Sequence, residues 1–503
     1  MFSSKILIAA TVVGVLLAVL GTLGVILVPS FFYEEVQKKL PLLNGTEAFN
    51  IWEDIPLPIY QRYYFFNLTN PEEFYWNGSK PVLKEVGPYS YRCTWVKNDL
   101  SWGANHTVSY REVKTAYFDP DASVGNEDDV ITTLNMPLIA AGEMAKEASA
   151  FKRILITMAV NALKEKLIIQ KTVGQLLFQG YHDALAMLAY KMDHSLPYSD
   201  GKFGWMHKKN ATDDGIFTVF TGEDSMDKYN VIADWNGKPG LSWWKDECNM
   251  INGTNGELVP PYVGSRSALY VFNTAFCRSW TLEQNGTVPS HGLNLQRFTA
   301  PATTFQNASD YPPNGCFATR RNLRSGVMDI SKCQHGAPVL LSFPHFYLGD
   351  PSYLEAIEGL HPDPFHHSFN LDVYPELGLG MRLYGRLQIN VALEKVPYIR
   401  GLENVTEMVY PILWEEINIE PSDAFVDHLK GELQLPLFYM LMAGYLLLGI
   451  GTGMVLAVFG IVLGRHLGWF AHKYEDTSPL IDDEEHGKGD GGHEEKHGDF
   501  PTA

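Results

Sequence analysis

Two long apolar stretches, one near each end of the 503-residue chain, dominate its pattern of hydrophobic and polar positions. Residues 6–28 and residues 435–464 contain no charged side chain. Each stretch exceeds the roughly 20 apolar residues that a helix needs to cross the hydrocarbon core of a bilayer. The first is also longer than the roughly 7–15 residues of a signal-peptide core, and no small-x-small cleavage site follows it. The pattern therefore predicts two retained transmembrane helices.

Basic residues beside these stretches predict the topology. Lys5 precedes the first stretch, whereas Arg465 and Lys473 follow the second. Because positively charged flanks stay on the cytosolic side of a membrane, we expect both ends of the chain in the cytosol. The predicted segments are a cytosolic N-terminus, a first span, a lumenal or extracellular domain, a second span and an acidic cytosolic tail: 1–5, 6–28, 29–434, 435–464 and 465–503.

Between the spans, stretches with alternating apolar residues predict a β-rich domain. In "RLQINVALEKV", apolar residues such as Leu387 and Ile389 alternate with polar residues such as Gln388 and Asn390, as in a strand with one face buried. "SALYVFNT", "APVLLSF" and "GIFTVFTG" are similar. No repeat, linker or charge block divides this segment, so we expect one large domain.

One region changes to helical spacing. In its first part, apolar residues recur every three or four positions: Phe151, Leu155, Met158 and Ala162. In its second part, which begins after Thr172, one helical face holds Val173, Leu176, Leu177, Tyr181, Ala184, Leu185 and Leu188. This periodicity predicts two amphipathic helices. Their apolar faces either pack on the sheet or belong to a binding surface.

The charge of this helical region is opposite to that of the chain as a whole, whose formal net charge is −19. Between Glu143 and Lys171 there are six basic residues and three acidic ones. A basic patch on an acidic body can attract anionic ligands, although a solvated helix face explains the same charges. The candidate ligand-binding residues are Lys152, Arg153, Lys164, Lys166 and Lys171.

Glycosylation sequons give an independent indication of the topology. Every Asn-x-Ser/Thr triplet lies between the two apolar stretches, at Asn44, Asn67, Asn77, Asn105, Asn210, Asn252, Asn285, Asn307 and Asn404. Acceptor asparagines are used only in the secretory lumen. The distribution predicts a two-pass glycoprotein.

The five cysteines lie in the same segment, where disulfides persist. Because their number is odd, at least one thiol is unpaired, and the isolated Cys93 is the candidate. The other four allow three pairings, among which the spacing does not choose. They are Cys248, Cys277, Cys316 and Cys333.

The tail contains "EDTSPLIDD", in which Asp476 lies four positions before Leu480 and Ile481. That spacing resembles the dileucine sorting signals that clathrin adaptors bind in the cytosol. A solvated acidic tail is the alternative, because such strings also arise by chance.

Two histidine-containing strings suggest enzymes, but their surroundings do not favour that interpretation. "HEEKH", residues 493–497, fits the H-E-x-x-H pattern of zinc proteases, in which a rigid helix presents both histidines. Glycine-rich flanks favour a disordered tail instead. "HPDPFHH" offers His361, His366 and His367 beside Asp363, yet its prolines predict a loop and no fourth ligand follows at a fixed spacing.

"GIGTG" is not a nucleotide loop, because it lies inside the second apolar stretch. There Gly449 and Gly453, and again Gly460 and Gly464, are spaced for close helix packing. Since no nucleophile and base pair stands out, we expect no enzyme, no metal site and no cofactor. A lumenal hydrolase is the alternative from another functional class.

Longer strings resemble the class B scavenger receptor family. They include "YQRYYFFNLTNPEEFYWNGSKPVLKEVGPYSYR", "WNGKPGLSWWKDECNMINGTNG", "LYVFNTAFCRS", "SGVMDISKCQHGAPVLLSFPHFY" and "AIEGLHPDPFHHSFNLDV". The resemblance implies an α+β fold with a twisted antiparallel, barrel-like core, a hydrophobic tunnel, a helical cap at about 137–195 and two membrane anchors. It further implies a receptor that binds lipid or protein cargo at the cap and passes fatty acids, sterols or phospholipids through the tunnel.

Within this family, "FTGED", "AFCRS", "GAPVLLSFPHFY" and the tail "SPLI" are most similar to the lysosomal integral membrane protein type 2 branch. That similarity implies a lysosomal or late endosomal membrane, with the plasma membrane as the alternative, and clathrin adaptors at the tail. It also implies lipoprotein or lysosomal hydrolase cargo. The branch carries cap histidines associated with pH-dependent release, whereas Lys171 stands where a histidine would, so hydrolase carriage stays open. A homo-oligomer also stays open, and we expect no nucleic acid partner.

The resemblance also implies a disulfide pairing. In the lipid-translocating branch, the cysteine before "xMINGT" pairs with that of the "CF" string, and the cysteine of "CRS" pairs with that of "DISKC". Carried over to this chain, Cys248 pairs with Cys316, and Cys277 pairs with Cys333.

Overall fold

The computed structural model describes residues 3–467 and 469. They form two compact units, one with the residues up to Val28 and from Phe438 onward, the other with Pro29–Leu437. The first unit is built from long apolar helices and the second from an antiparallel sheet with smaller helices. The α+β class and the two candidate membrane helices predicted from the sequence are confirmed.

The described part of the chain contains helices of very different length. The α-helices are α1 (Ser4–Gln37), α2 (Glu47–Glu53), α3 (Pro71–Asn77), α4 (Met136–Glu147), α5 (Ala150–Leu163), α6 (Val173–Leu176), α7 (Ala184–Met192), α8 (Ser352–Glu355), α9 (Pro364–His367), α10 (Asp423–Leu429) and α11 (Leu435–His466). A π-helical turn, Lys430–Gln434, joins α10 to α11.

Most strands of the described residues are between four and fifteen residues long, and β2 is longer. They are β1 (Ile59–Leu68), β2 (Leu83–Gly103), β3 (Thr107–Phe118), β4 (Val130–Leu134), β5 (Ile168–Thr172), β6 (Tyr181–His182), β7 (Lys202–Phe203), β8 (Ile216–Phe220), β9 (Ile232–Trp235), β10 (Ala268–Asn273), β11 (Arg278–Ser290), β12 (Leu293–Thr299), β13 (Met328–Asp329), β14 (Val339–Ser342), β15 (Asn370–Tyr374), β16 (Leu379–Leu393) and β17 (Met408–Ile419). "SALYVFNT", "APVLLSF" and "GIFTVFTG" form β10, β14 and β8, as predicted.

Helices α1 and α11 are each long and apolar enough to cross a membrane. They approach each other at glycines. A β-carbon added to Gly14 would lie 3.0 Å from the carbonyl oxygen of Gly451, and one added to Gly21 would lie 2.7 Å from that of Gly444. Small residues permit this distance because no side chain separates the two backbones.

The two glycine pairs that the sequence singled out lie elsewhere on α11. A β-carbon added to Gly449, Gly453 or Gly460 would meet no described atom within 4 Å. For these three glycines the prediction of close packing is therefore wrong within this chain, whereas Gly464 is buried. Glycine spacing alone could not show which side of the helix faces α1.

The second unit is built on one thirteen-stranded antiparallel sheet. Its hydrogen-bonded order is β10-β11-β12-β15-β16-β17-β1-β2-β3-β8-β9, with β14 beside β16 and β13 beside β14. The first and last strands of the chain pair at its centre, where Ile59 lies opposite Ile419 and Phe65 opposite Leu413. Strand pairs β4–β5 and β6–β7 form two separate ribbons.

A short segment outside the named strands joins the two ends of this sheet. The amide of Ile232 in β9 donates to Gly253 O at 2.9 Å. On the other side of the segment, Thr254 N donates to Tyr270 O at 3.1 Å and Phe272 N donates to Thr254 O at 2.8 Å. Residues 253 and 254 thus connect β9 to β10, and the sheet closes into a barrel.

Strand β16 contains the stretch for which one buried face was predicted. Both faces are buried there, and the side chains of Gln388 and Asn390 are not exposed at all. They hydrogen-bond to each other at 2.7 Å, and Asn390 Nδ2 donates to Ser342 Oγ at 3.0 Å. The half-buried prediction is wrong because internal hydrogen bonds let these amides leave water.

The first predicted amphipathic helix is α5, preceded by α4. The second is wrong as one continuous helix, because the chain forms α6, β6 and α7 in succession. Gly180 adopts a φ of +68°, which interrupts the helical path before β6. Asp183 then starts α7 by accepting hydrogen bonds from the amides of Leu185 and Ala186. Lys171 lies before this region, in strand β5.

Two disulfides connect loops of the sheet unit. Cys248 is joined to Cys316 with a Cα–Cα distance of 5.8 Å, and Cys277 to Cys333 with 6.3 Å. These are the pairs that the family resemblance implied. Cys93 is unpaired and buried in β2, and this burial raises the pKa of its thiol to about 12.

Candidate functional site

A cavity lies inside the barrel. Its volume is about 140 Å³. Strands β2, β3, β8, β10, β11, β15, β16 and β17 line it together with α2 and α10. Its largely apolar wall includes Phe217, Val271, Phe272, Trp280, Leu371 and Ile417. Such a wall favours apolar guests, since moving a methylene out of water yields about 0.8 kcal/mol.

One side of this cavity is charged. Lys97 Nζ lies 2.9 Å from Glu112 Oε1 and 2.8 Å from Glu257 Oε2. Lys114 Nζ lies 3.4 Å from Glu112 Oε2 and 3.1 Å from Asp214 Oδ2. We call these five residues the cavity charge cluster. Four of them line the cavity, while the fully buried Lys97 lies behind them.

Aromatic rings hold the Lys97 ammonium in place. Its Nζ lies 5.1 Å from the ring centre of Trp52 and 5.6 Å from that of Tyr110. Cation–π attraction and the two carboxylates together compensate for the loss of water around the charge. Burial would lower the pKa of Lys97, but Glu112 and Glu257 outweigh it and raise that pKa.

The two glutamates of the cluster have opposite pKa shifts. Burial raises the pKa of Glu257 to about 7, helped by the nearby Glu112 carboxylate and opposed by Lys97. For Glu112, burial is outweighed by Lys97 and Lys114, which lower its pKa to about 2. Of the two carboxyls that share one ammonium, Glu112 is therefore the stronger acid and Glu257 the weaker one.

A second polar cluster contains His367 of "HPDPFHH" together with His345. His345 Nε2 lies 2.6 Å from Glu85 Oε2, which also accepts a 2.7 Å hydrogen bond from Trp414 Nε1. Burial would raise the pKa of Glu85, but these two hydrogen bonds outweigh it and lower that pKa. The His345 and His367 rings stack with centroids 4.4 Å apart. Among the described residues, no three His, Cys, Asp or Glu side chains converge as metal ligands do.

The proposed anion-binding residues of the helical region do not form one group. Arg153 donates to the carbonyls of Ala145, Lys146 and Ala148 at the end of α4, so it acts as a helix cap. Lys171 Nζ lies 4.5 Å from the ring centre of Tyr181. The remaining three residues of the predicted patch are exposed: Lys152, Lys164 and Lys166.

Helix α5 presents an apolar face to solvent beside these lysines. Phe151 is 73% exposed and Met158 is 64% exposed, and Ile154 and Leu155 are exposed too. Ile156 and Val160 are the residues of α5 that are buried. The stripe identified from the sequence is therefore not a packing face. In a soluble domain, a contiguous exposed apolar patch indicates an interaction surface.

Ion pairs hold the helical region on the barrel. Glu143 of α4 pairs with Arg321, which also bonds Asp329 at 2.8 Å and Glu394 at 2.7 Å. Lys146 Nζ lies 2.5 Å from Glu394 Oε2. Lys146, although it belongs to the basic stretch, therefore has a structural partner.

The predicted sequons differ in accessibility. Six of the asparagines are exposed: Asn44, Asn77, Asn105, Asn210, Asn285 and Asn404. Asn67, Asn252 and Asn307 are half-buried. Asn67 lies in β1, where its Oδ1 accepts a 2.8 Å hydrogen bond from Thr132 N. The predicted sorting signal (Asp476, Leu480, Ile481) and the "HEEKH" string lie outside the described residues.

Sequence analysis missed the cavity charge cluster. Its members lie far apart along the chain, between Lys97 and Glu257, and each looks like an ordinary surface charge in its local context. Pairing of β2 with β3 brings Lys97 opposite Glu112, but that register is not readable from either strand alone. A charged residue within an otherwise apolar alternation, such as Glu112 in β3, was the one available indication.

Comparison with known proteins agrees with this architecture. The profile of the CD36 family matches residues 12–462. Scavenger receptor class B member 1 from Bos taurus is 35% identical over 446 residues, covering 88% of this chain and 87% of the relative. Lysosome membrane protein 2 from Homo sapiens is 38% identical over 434 residues, covering 84% of this chain and 87% of the relative.

The structure thus combines a barrel that holds an apolar cavity with one candidate membrane helix near each end of the chain, which fits a two-span membrane protein. The chain belongs to the CD36 family. The two relatives are named as a scavenger receptor and a lysosome membrane protein, and neither name describes an enzyme.

Proposed function

We propose that this chain is a two-pass membrane receptor that takes up lipid-bearing cargo at its helical cap and holds lipid in the barrel cavity, passing it towards the membrane. The single observation that carries this proposal is the apolar cavity enclosed by the sheet. Fatty acids, sterols and phospholipids have the apolar bodies that such a wall removes from water. The names of the relatives support a receptor rather than a catalyst.

The experiment uses the full-length protein in detergent with radiolabelled cholesterol and palmitate. Saturable retention of lipid that is recovered chemically unchanged is expected. Val271→Trp should lower retention several-fold, because its bulk would occupy space that Val271 lines. Tyr270→Trp is the matched control, since this neighbouring strand residue points to the other face and is 52% exposed.

Equal retention by the wild type and Val271→Trp would contradict binding in this cavity. Release of a lipid reaction product would instead support the alternative of a lumenal hydrolase.

We further propose that the exposed face of α5 binds a lipid-covered anionic surface, such as that of a lipoprotein. Apolar residues beside lysines are the composition with which helices bind lipid interfaces. A hydrolase as cargo is the second candidate, which the resemblance to the lysosomal branch of the family implies.

The tail sequence and the predicted topology support a proposal for the location. We propose that clathrin adaptors bind the acidic dileucine-type motif and direct the protein to the lysosomal or late endosomal membrane, with both termini in the cytosol. The similarity to lysosome membrane protein 2 supports this location, and that to scavenger receptor class B member 1 leaves the plasma membrane as the alternative.

A further inference from the structure

A second cavity lies between the start of β11, strand β13 and the loop segments 304–309 and 314–323. Its volume is about 140 Å³, which gives room for a small ion with a few waters. Arg278, the first residue of β11, lines this cavity and is only 9% exposed. We call the cavity the Arg278 pocket.

The guanidinium of Arg278 is only partly satisfied by the protein. Its Nε donates to Ser279 O and its Nη1 to Thr304 O, both at 3.3 Å. Nη1 also lies 3.5 Å from Met328 Sδ. Nη2 forms no hydrogen bond with any described residue, and it is not among the unpaired side-chain atoms that lack accessible surface. An ion in the pocket can therefore contact Nη2.

No carboxylate of the described residues neutralises this guanidinium. Arg321, which lines the same pocket, has three carboxylate partners, whereas Arg278 has none within the described chain. Burial lowers the pKa of Arg278 to about 9, so the side chain still carries its charge at neutral pH. A buried charge without a partner is strongly unfavourable. An anion from solution would relieve this imbalance.

Both disulfides fix the position of the guanidinium. Arg278 directly follows Cys277, and Phe317 directly follows Cys316, and these two cysteines belong to different disulfides. Arg278 Cζ lies 3.7 Å from the centre of the Phe317 ring, which holds the guanidinium by cation–π attraction. Because this anchoring limits the freedom of the side chain, an ion that binds here costs little conformational entropy.

The charges of the lining favour a monovalent anion. Arg278, Arg321 and Asp329 are the charged residues that line the Arg278 pocket. Since Asp329 pairs with Arg321 at 2.8 Å, one positive charge is left among them. The side-chain amides of Gln306 and Asn322 also line the pocket and can donate hydrogen bonds to an anion. A divalent phosphate would exceed the single charge and would be repelled by Asp329.

We propose that the Arg278 pocket is a binding site for a small monovalent anion, with Nη2 of Arg278 as its principal donor. This inference goes beyond the proposed function and does not depend on lipid binding in the barrel cavity. Chloride and a small carboxylate such as acetate share the required charge and size, and the experiment distinguishes them. The bound anion completes the charge balance of the loops that the two disulfides connect.

The test measures the melting temperature of the full-length protein in detergent at constant ionic strength. Sodium gluconate, whose anion is much larger, is replaced stepwise by sodium chloride or by sodium acetate. We expect a saturable rise of about 3 °C when chloride exceeds its dissociation constant by about 100-fold, because a ligand that binds only the folded state stabilises it. Broadening of the chloride NMR signal measures the same binding directly.

Arg278→Met should abolish both the rise and the broadening, because it removes the charge. Replacing a buried charge by an apolar side chain is often neutral or stabilising, so we expect this variant to fold. Arg278→Gln is a second variant without the charge, and one folded variant of the two is enough. Arg92→Gln is the matched control, since it removes an exposed arginine of β2 and should behave as the wild type.

Acetate that acts as chloride does would assign the site to small monovalent anions in general, and an effect of chloride alone would assign it to a halide. Either result supports the proposal. A wild type that does not respond to chloride, or a response that persists without the Arg278 charge, would overturn it. Neither of these outcomes bears on lipid retention by the barrel.

Discussion

His345 and His367 show how single residues fix a loop of the barrel. The Nδ1 atom of His345 accepts the amide of His361 at 3.0 Å, and that of His367 accepts the amide of Asp363 at 2.8 Å. A ring that accepts at Nδ1 must carry its proton on Nε2. Protonation at Nδ1 would therefore break the hydrogen bond that holds the loop.

The structure predicts that His367 makes the protein less stable in acid. Burial, with a contribution from His345, lowers the pKa of His367 from 6.5 to about 4. Between these values the unfolded chain binds a proton that the folded chain does not, so the free energy of unfolding falls as pH falls. His367→Asn keeps an acceptor but cannot titrate, and its melting temperature should decline less than that of the wild type from pH 6.5 to pH 4.

The matched control is His366→Asn, because His366 lies on the same turn with its side chain 66% exposed. Melting curves are measured by intrinsic fluorescence on the full-length protein. Parallel declines of the wild type and His367→Asn would contradict this role for His367.

At the residue scale, sequence analysis found surface features more readily than buried ones. Asn44 and Asn77 were recognisable because a sequon is a local pattern. Glu257 and Trp52 were not, because burial and an unpaired hydrogen-bonding atom depend on strands that meet only in the fold. Arg153 was found as a charge, but its hydrogen bonds to the carbonyls of the preceding helix were not, since the sequence does not show which way a long side chain bends.

Helix α5 is the element whose exposed surface most needs an explanation. Its stripe of apolar residues faces solvent. Lys164, the first residue after the helix, adopts a left-handed backbone conformation with a φ of +56°. Lys166 is exposed two positions further along. An apolar contact face is thus followed by two lysines for which the described residues provide no hydrogen-bond or ion-pair partner, unlike Lys146 or Arg153.

We expect Lys164→Gln with Lys166→Gln to weaken binding to phosphatidylserine vesicles by about thirtyfold, because each lysine near an anionic surface contributes about 1 kcal/mol. The remaining binding should also be less sensitive to salt. Flotation of the full-length protein with vesicles across a salt series measures both effects.

The matched control removes the same charge outside the cap, with Lys80→Gln and Lys238→Gln, both exposed. Equal losses in the two double variants would show that only net charge matters.

The periodicity of apolar residues predicted whether a segment forms a helix or a strand. It was less successful in predicting how long the segment is and which of its sides is buried. Strands β8, β10 and β14 were found because their alternating residues are long enough to define a period. The helix predicted after Thr172 was too long. Gly180, with its positive φ, changes the direction of the chain but leaves the spacing of the hydrophobic residues unchanged. The side of α5 that is buried depends on its contacts with α4 and the neighbouring loops. The sequence of α5 alone does not reveal these contacts.

At the scale of the whole molecule, the resemblance to a family predicted more than periodicity did. The α+β class, the two candidate spans and the family are confirmed. Closure of the barrel through residues 253 and 254 was not derivable from pattern, since these residues belong to none of the named strands.

The sorting proposal is tested on the whole protein in cells. Leu480→Ala with Ile481→Ala should move the protein from lysosomes to the cell surface, because adaptors would lose the apolar pair that they bind. Asp482→Asn with Asp483→Asn is a control that changes adjacent charge and leaves the motif intact. Surface biotinylation and lysosomal co-staining measure the shift, and unchanged lysosomal staining of the alanine variant would contradict the proposal.

The central position of β1 has a consequence for how the chain is made. Its neighbours in the sheet are β2 and β17. Ile59 can pair with Ile419 only after about 360 further residues have been synthesised. Contacts between residues so distant in sequence form slowly, and an unpaired strand edge is prone to aggregate in the meantime. The barrel can therefore close only after nearly the whole sheet unit has been synthesised. A chain truncated before β17 would expose one edge of β1, and we expect the quality-control machinery of the cell to retain it.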